Sequence, residues 1–200
     1  MSLPKKTLVV GSTRHDYFFE RKNTKRIKKN KNFKILYIKS NPFYLDGLED
    51  KAIILFSKIM NNFKNIKYTI KDRENTLSLS IQKLIKEKII KKKQIEKSGP
   101  IEKSIHKADL CVGTNSTALL RQAISFNKPI IQLYAKKHYM WNTSNKLSSV
   151  NNEKEIISLI EKLSNNKVIY NRYLNLNKKM KKFILSNELR SNKKIYEILK

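Results

Sequence analysis

Apolar residues in this chain follow two spacings that take turns along its length. Short apolar runs closed by Gly, Asn, Pro or charged residues read as strands. Thr7-Leu8-Val9-Val10, ended by Gly11-Ser12-Thr13, is the first, and FKILYI from Phe33 to Ile38 is the second. IKYTI from Ile66 to Ile70 and residues 109–112 and 129–134 follow. Between them apolar residues recur every three or four positions, the signature of a helix with one buried face. Residues 45–63 place Leu48, Ala52, Ile53, Leu55, Phe56, Ile59, Met60 and Phe63 in this way. Residues 77–93 do so with Leu77, Ile81, Leu84, Ile85 and Ile89, then run into Lys91-Lys92-Lys93, which suits a helix C-terminus. Short helices are predicted over 101–107 and 116–126. After Trp141 the pattern is helical to the end, over 153–163, 168–185 and 189–199. The basic stretch 17–30 reads as helix or ordered loop.

Strands alternating with helices predict parallel βαβ units: an α/β, Rossmann-like, doubly wound sheet in three αβα layers, with a helical C-terminal segment. The strands are continuous apolar runs, as a sheet covered on both faces requires. Ligands of such sheets sit outside the carboxyl ends of the strands. No repeat or linker divides the chain, so its 200 residues read as one domain, with 151–200 packing on it.

Composition narrows the classes. Forty per cent of residues are hydrophobic, too many for a disordered basic tail. No apolar run approaches the ~20 residues that span a bilayer, and Met1 to Lys6 lacks a signal-peptide apolar region. Cys111 is the single cysteine, which leaves no internal disulfide and no Cys-based zinc site. A cytoplasmic, reducing setting is the expectation. The net charge of +28, from 44 Lys+Arg against 16 Asp+Glu, points to an anionic partner. Most of these cations are Lys, in a chain also rich in Ile and Asn. Codon bias in an AT-rich genome gives that profile without selection for binding, whereas base reading favours Arg.

The turn after residues 109–112 carries the clearest chemistry. Gly113 and Thr114 lead into Asn115-Ser116-Thr117 and a predicted helix. Backbone N–H groups at a helix start lack intrahelical partners, and the helix dipole is positive there, so the turn can cradle a phosphate. The simpler alternative is that Asn115 or Ser116 caps the helix.

The block Ala108-Asp109-Leu110-Cys111-Val112-Gly113, then Asn115-Ser116-Thr117-Ala118-Leu119-Leu120, Gln122-Ala123 and Asn127-Lys128-Pro129-Ile130-Ile131 resembles a known family. It is similar to the donor-binding, C-terminal domain of GT-B-type bacterial glycosyltransferases of surface and capsular polysaccharide synthesis. That resemblance implies a nucleotide sugar as substrate. Ser116 and Thr117 would contact its phosphate. Gln122 would stand where the family often has a ribose-binding Glu, able to hydrogen-bond but without the charge. Gly11, Ser12 and Thr13 look like the family's first loop, also a phosphate site, with Arg14 and His15 beside it. Lys39, Ser40, Asn41 and Pro42 resemble a Lys-Pro-His-Pro element, with Asn41 in place of the cleft His. Asn is no general acid or base, so the chain is a diverged member or its catalytic proton transfer lies elsewhere. His15, beside the first loop, is a candidate for catalysis, and a loop histidine without a role is the alternative. GT-B enzymes close two such domains around the reaction, so a second Rossmann-like domain or subunit is implied, and the chain alone is not expected to transfer sugar.

Several residues invite other roles. His138, beyond the 129–134 strand, is placed for ligand contact. His106 reads as structural, Cys111 as inert packing and Trp141 as packing or a base platform. No His, Cys and Asp set has metal spacing, so no metal or other cofactor is expected. Lys178, Lys179, Lys181 and Lys182 beside Met180 and Phe183 suit either a solvated helix face or peripheral contact with the inner membrane face. A basic nucleic-acid-binding module using Tyr17, Phe18, Phe19 and Tyr37 is a second reading, less favoured than a nucleotide donor. A sugar-nucleotide epimerase-like domain is a third.

Overall fold

The computed structural model describes residues 32–40, 48–72, 77–96, 99–114, 123–124, 126–134, 149–150, 152–184 and 196. Their strands are β1 (Phe33–Ile38), β2 (Ile66–Lys71), β3 (Ile95–Glu96), β4 (Leu110–Gly113), β5 (Ile130–Leu133) and β6 (Ser149–Val150). They form one sheet in the order β3-β2-β1-β4-β5-β6. Every neighbouring pair is parallel, with Leu36 beside Cys111 and Tyr37 beside Val112 where β1 meets β4. This is the doubly wound α/β order, and it reverses between β1 and β4.

The helices are α1 (Leu48–Met60), α2 (Leu79–Lys86), α3 (Ile101–Lys107), α4 (Glu153–Asn165) and α5 (Lys167–Ile184). Strand side chains alternate between faces, and this sorts the core into two. Ile35, Tyr37, Leu110, Val112, Ile131 and Leu133 meet α1, α2, α4 and α5 on one face. Leu36, Ile38, Cys111 and Ile130 meet Ile105 of α3 with Ala123, Ile124 and Phe126 on the other. The sheet is therefore covered on both sides, which is why its strands carry few polar residues.

Local chemistry sets the helix ends. Glu49 and Asp50 stand in the first turn of α1 and Lys58 in its last, each matched to the helix dipole. Asn152 caps α4 by accepting the Glu155 N–H at 2.9 Å. The helix predicted over 77–93 stops at Lys86. Lys88 takes a left-handed φ of 57°. Its N–H donates to the Ile85 carbonyl at 3.0 Å, and the Ile89 N–H to the Leu84 carbonyl at 2.9 Å. This is the Schellman closure of a helix, here built on Lys where Gly is usual. The chain then makes a 3-10 turn at Lys92–Gln94, where helix had been expected as far as Lys93, and forms β3, a strand the sequence pattern does not mark.

Three further corrections follow. The helix expected over 45–63 is described from Leu48 to Met60. The strand expected over 109–112 runs from Leu110 to Gly113, so Gly113 is strand rather than turn. The segment after Trp141 is not wholly helical, because β6 pairs with β5 through Gln132 with Ser149 and Leu133 with Val150.

Helix α5 closes the amino-terminal edge of the sheet. The Tyr170 hydroxyl donates to the Asp109 carbonyl at 2.8 Å, just before β4. Asn177 donates to the Lys128 carbonyl, just before β5. The Tyr170 ring meets Phe33, the first residue of β1, edge-on at 6.2 Å between centroids. The predicted strand at 7–10 and the helix over 189–199, apart from Tyr196, lie outside the described residues.

Candidate functional site at the carboxyl edge of β1 and β4

The order reversal puts the carboxyl ends of β1 and β4 side by side, with the sheet continuing away in opposite directions. In doubly wound sheets ligands bind outside the carboxyl ends of the strands at such a reversal. Lys39 and Ser40 follow β1, and Thr114 follows β4. The first turn of α1 brings Glu49 over both.

These groups form one hydrogen-bonded cluster. The Tyr37 hydroxyl donates to Glu49 Oε1 at 2.8 Å. Thr114 Oγ1 donates to Ser40 Oγ at 2.9 Å, and it also reaches Glu49 Oε2. The Ser40 backbone N–H is a further donor to the Glu49 carboxyl. Glu49 is 0% exposed, Thr114 1% and Ser40 6%. A buried carboxyl loses hydration, and this pushes Glu49 above its usual range against the opposing pull of Thr114, Tyr37, Ser40 and Lys39. Burial first, then the Glu49 charge, holds the Tyr37 phenol well above its ordinary value. Phe56 of α1 backs the Tyr37 ring at 5.0 Å and meets Tyr68 edge-on at 5.7 Å, which fixes the phenol's direction.

The neighbouring strand ends are also charged. Lys39 is 4% exposed, and its backbone N–H donates to the Lys71 carbonyl at 3.2 Å, extending the β1–β2 pairing. Lys71 Nζ donates to the Gly99 carbonyl at 2.9 Å. Asp72 accepts the Ser78 N–H at 3.3 Å. Tyr134, which follows β5, has a φ of 51°. A bulky residue rarely takes that conformation, and such strain gathers at functional sites. Among the described residues no group of three or more His, Cys, Asp and Glu is placed to hold a metal ion, and no helix is long and apolar enough to cross a membrane.

No protein-family model matches the sequence, and no curated protein matches it. Solved structures do match. S. aureus TarM, as a variant bound to fondaparinux, alpha-GlcNAc-glycerol and UDP, superposes with a TM-score of 0.58 at 15% identity over 88% of this chain and 36% of that one. S. aureus MnaA with UDP gives 0.53 at 14% identity, over 82% of this chain and 46% of that one. A Thermobaculum terrenum O-GlcNAc transferase variant gives 0.53 at 10% identity, over 74% and 31%. The fold is shared. This chain spans less than half the length of each of these proteins.

Of the residues singled out from sequence, Gly113, Thr114, Lys39 and Ser40 come together at the carboxyl ends of β1 and β4. Gly11, Ser12, Thr13, Arg14, His15, Asn41, Pro42, Asn115, Ser116, Thr117, Gln122, His138 and Trp141 lie outside the described residues, as do Tyr17, Phe18 and Phe19. The helix leading to β5 is described only at its end. Asn127 takes a φ of 53°, and its N–H and that of Lys128 close on Ile124 and Ala123, each at 2.9 Å. His106 is exposed on α3 with its ring edge-on to Phe126, consistent with packing. Cys111 is buried, and burial pushes its thiol up to about 12. Tyr37 corrects the nucleic-acid reading, since it is fully buried and its ring is not free to stack on a base. Glu49 was missed. Its signal was a carboxylate in the first turn of a helix that follows a strand, a pattern equally common on solvated faces.

Proposed function

We propose that this chain is the sugar-nucleotide-binding, Rossmann-like domain of a GT-B-type glycosyltransferase of surface polysaccharide or glycolipid synthesis. The observation that carries the reading is topological. Thr114 stands at the switch point of a parallel β3-β2-β1-β4-β5-β6 sheet, directly before residues 115–117, which the sequence reads as a phosphate turn. Phosphates bind at such a place in doubly wound folds. Support comes from the sequence block 108–131 and from the shared fold with TarM and MnaA, both solved with UDP.

In this reading the turn holds the donor's phosphates with backbone N–H groups, Ser116 and Thr117, and Lys39 adds positive charge from β1. When the sugar leaves, negative charge gathers on the nucleotide, and donors already in place stabilise it. A second Rossmann-like domain supplies the acceptor side. The enzyme works in the cytoplasm, at the inner membrane face where its acceptor is lipid-linked. Protein groups alone meet the phosphate charge, so a chelator leaves binding unchanged.

Calorimetric titration with UDP, CDP, CMP, GDP and their sugar conjugates tests the proposal. One nucleotide class should bind at micromolar affinity, and Ser116→Ala/Thr117→Ala should weaken it. Silence toward all of them would refute the reading.

A further inference from the structure

We propose that the outer flank of the domain, made of α2 and the connector from it to β3, is a docking surface for an anionic lipid bilayer. The inference names a surface for the membrane-face location in the reading above, and it stands apart from nucleotide binding.

The position of the flank comes first. β3 is the last strand of the sheet, and α2 joins it to β2. Helix and connector therefore form the outer side of the domain. They run from the carboxyl edge, where Leu79 begins α2, to the amino edge, where Lys91-Lys92-Lys93 leads into β3. Ile81 and Leu84 are buried on the inner face of α2. Its outer face carries Gln82, Lys83 and Lys86 at helical spacing, with Leu79 83% exposed at the far end. Lys88, Lys91, Lys92 and Lys93 are exposed beyond it. Six lysines thus stand within residues 83–93. The one acid among them is Glu87, 3.8 Å from Lys83.

This density exceeds the lysine background of the chain. The exposed face of α4 carries Glu153, Glu155 and Glu161 with Lys154 and Lys162, a near balance. The lysines of the flank also stand on a fixed backbone. Asn61 Nδ2, after α1, donates to the Ile89 carbonyl at 3.0 Å. The Lys91 N–H donates to Gln94 Oε1 at 2.6 Å, and the Gln94 N–H returns to the Lys91 carbonyl at 2.8 Å. Ile90 is buried between these two anchors. Lysine even occupies residue 88, whose φ of 57° suits Gly better.

The chemistry fits acidic headgroups. Each lysine held near an anionic bilayer strengthens partitioning about fivefold, and an exposed Leu on a basic amphipathic helix enters the headgroup region. No Arg and no aromatic residue lies between Leu77 and Glu96, so the flank lacks the groups that read bases or stack on them. A bilayer along this flank runs beside the strands and leaves the carboxyl edge of the sheet open.

The test is sedimentation of the full chain with vesicles of equal parts phosphatidylglycerol and phosphatidylcholine. Wild type should bind them, release them at high salt and ignore pure phosphatidylcholine. Lys86→Gln/Lys91→Gln/Lys93→Gln should weaken binding on the order of a hundredfold. Lys88→Gly gives the left-handed position its preferred residue, so it should weaken binding about fivefold while folding at least as stably. Removing three lysines elsewhere, in Lys154→Gln/Lys162→Gln/Lys167→Gln, should change binding little. UDP affinity should be the same in all of these variants. Equal losses in the two triple variants would reduce the effect to net charge and overturn the proposal. Wild type that ignores anionic vesicles would overturn it too, as would nucleic acid bound more tightly than vesicles through the same lysines. Vesicle binding without UDP binding leaves the flank standing and refutes the nucleotide reading; UDP binding without vesicle binding does the reverse.

Discussion

Replacing Thr114 with valine removes one oxygen from the switch point and keeps the β-branched shape. Two buried groups then lose a partner, Ser40 Oγ at 2.9 Å and Glu49 Oε2. A buried polar group left unpaired costs roughly 1–3 kcal/mol, so the two together cost about 2–6 kcal/mol. For a domain of this size each kcal/mol lowers the melting temperature by roughly 2–4 °C. The expected fall is therefore about 4–24 °C, read by circular dichroism and checked by urea unfolding. Thr114→Ser restores the hydroxyl and should recover most of the loss. The double variant Thr114→Val/Glu49→Gln should lose less than the sum of the singles, because both changes break the same contact. A Thr114→Val protein that melts with wild type, or singles that add, would show that the cluster does not hold the strand ends together.

Three further outcomes test other parts of the account. Tyr170→Phe keeps the ring contact with Phe33 but takes the hydroxyl from the Asp109 carbonyl. It should cost about 1–2 kcal/mol in urea unfolding, and no loss would mean that α5 is not fastened there. Cys111, buried and with its thiol pushed up to about 12, should resist an aromatic disulfide reagent near neutral pH and release one thiol per chain on denaturation; prompt labelling of the folded protein would contradict its burial. Because the folded-state value of Glu49 is raised, its proton stabilises the fold fully below the ordinary carboxylate range, and that contribution is lost as pH rises through the raised value. The melting temperature of Glu49→Gln minus that of wild type should therefore grow with pH, and a constant difference from acid to neutral pH would refute the shift.

Much of the sheet was legible because its signals are local. FKILYI reads as a buried strand by its apolar run, and it forms β1 at Phe33–Ile38. Periodic residues over 45–63 mark α1, whose Ala52, Ile53, Phe56 and Ile59 are buried. Failures came where a contact from elsewhere decides the local state. Nothing before Lys91-Lys92-Lys93 announces a helix stop, because Lys88 takes the position where Gly would have signalled one. Ile95–Glu96 and Ser149–Val150 are strands of two residues each, created by pairing with β2 and β5 rather than by their own pattern. At the site, the block around Gly113 and Thr114 was found because its turn follows an apolar strand. Glu49 was not, since its importance lies in meeting Tyr37, Ser40 and Thr114, a convergence only the folded chain reveals.

Nucleotide binding at the switch point is the central claim, and its most direct test is a UDP titration of wild type beside Thr114→Val followed by nuclear magnetic resonance. Shifts should centre on the amides of Lys39, Ser40, Gly113 and Thr114 at the carboxyl edge, leave Tyr170 and Asn177 at the opposite edge unmoved, and weaken in the variant. Binding centred on the α5 edge, or an absence of shifts with every nucleotide tried, would contradict the account.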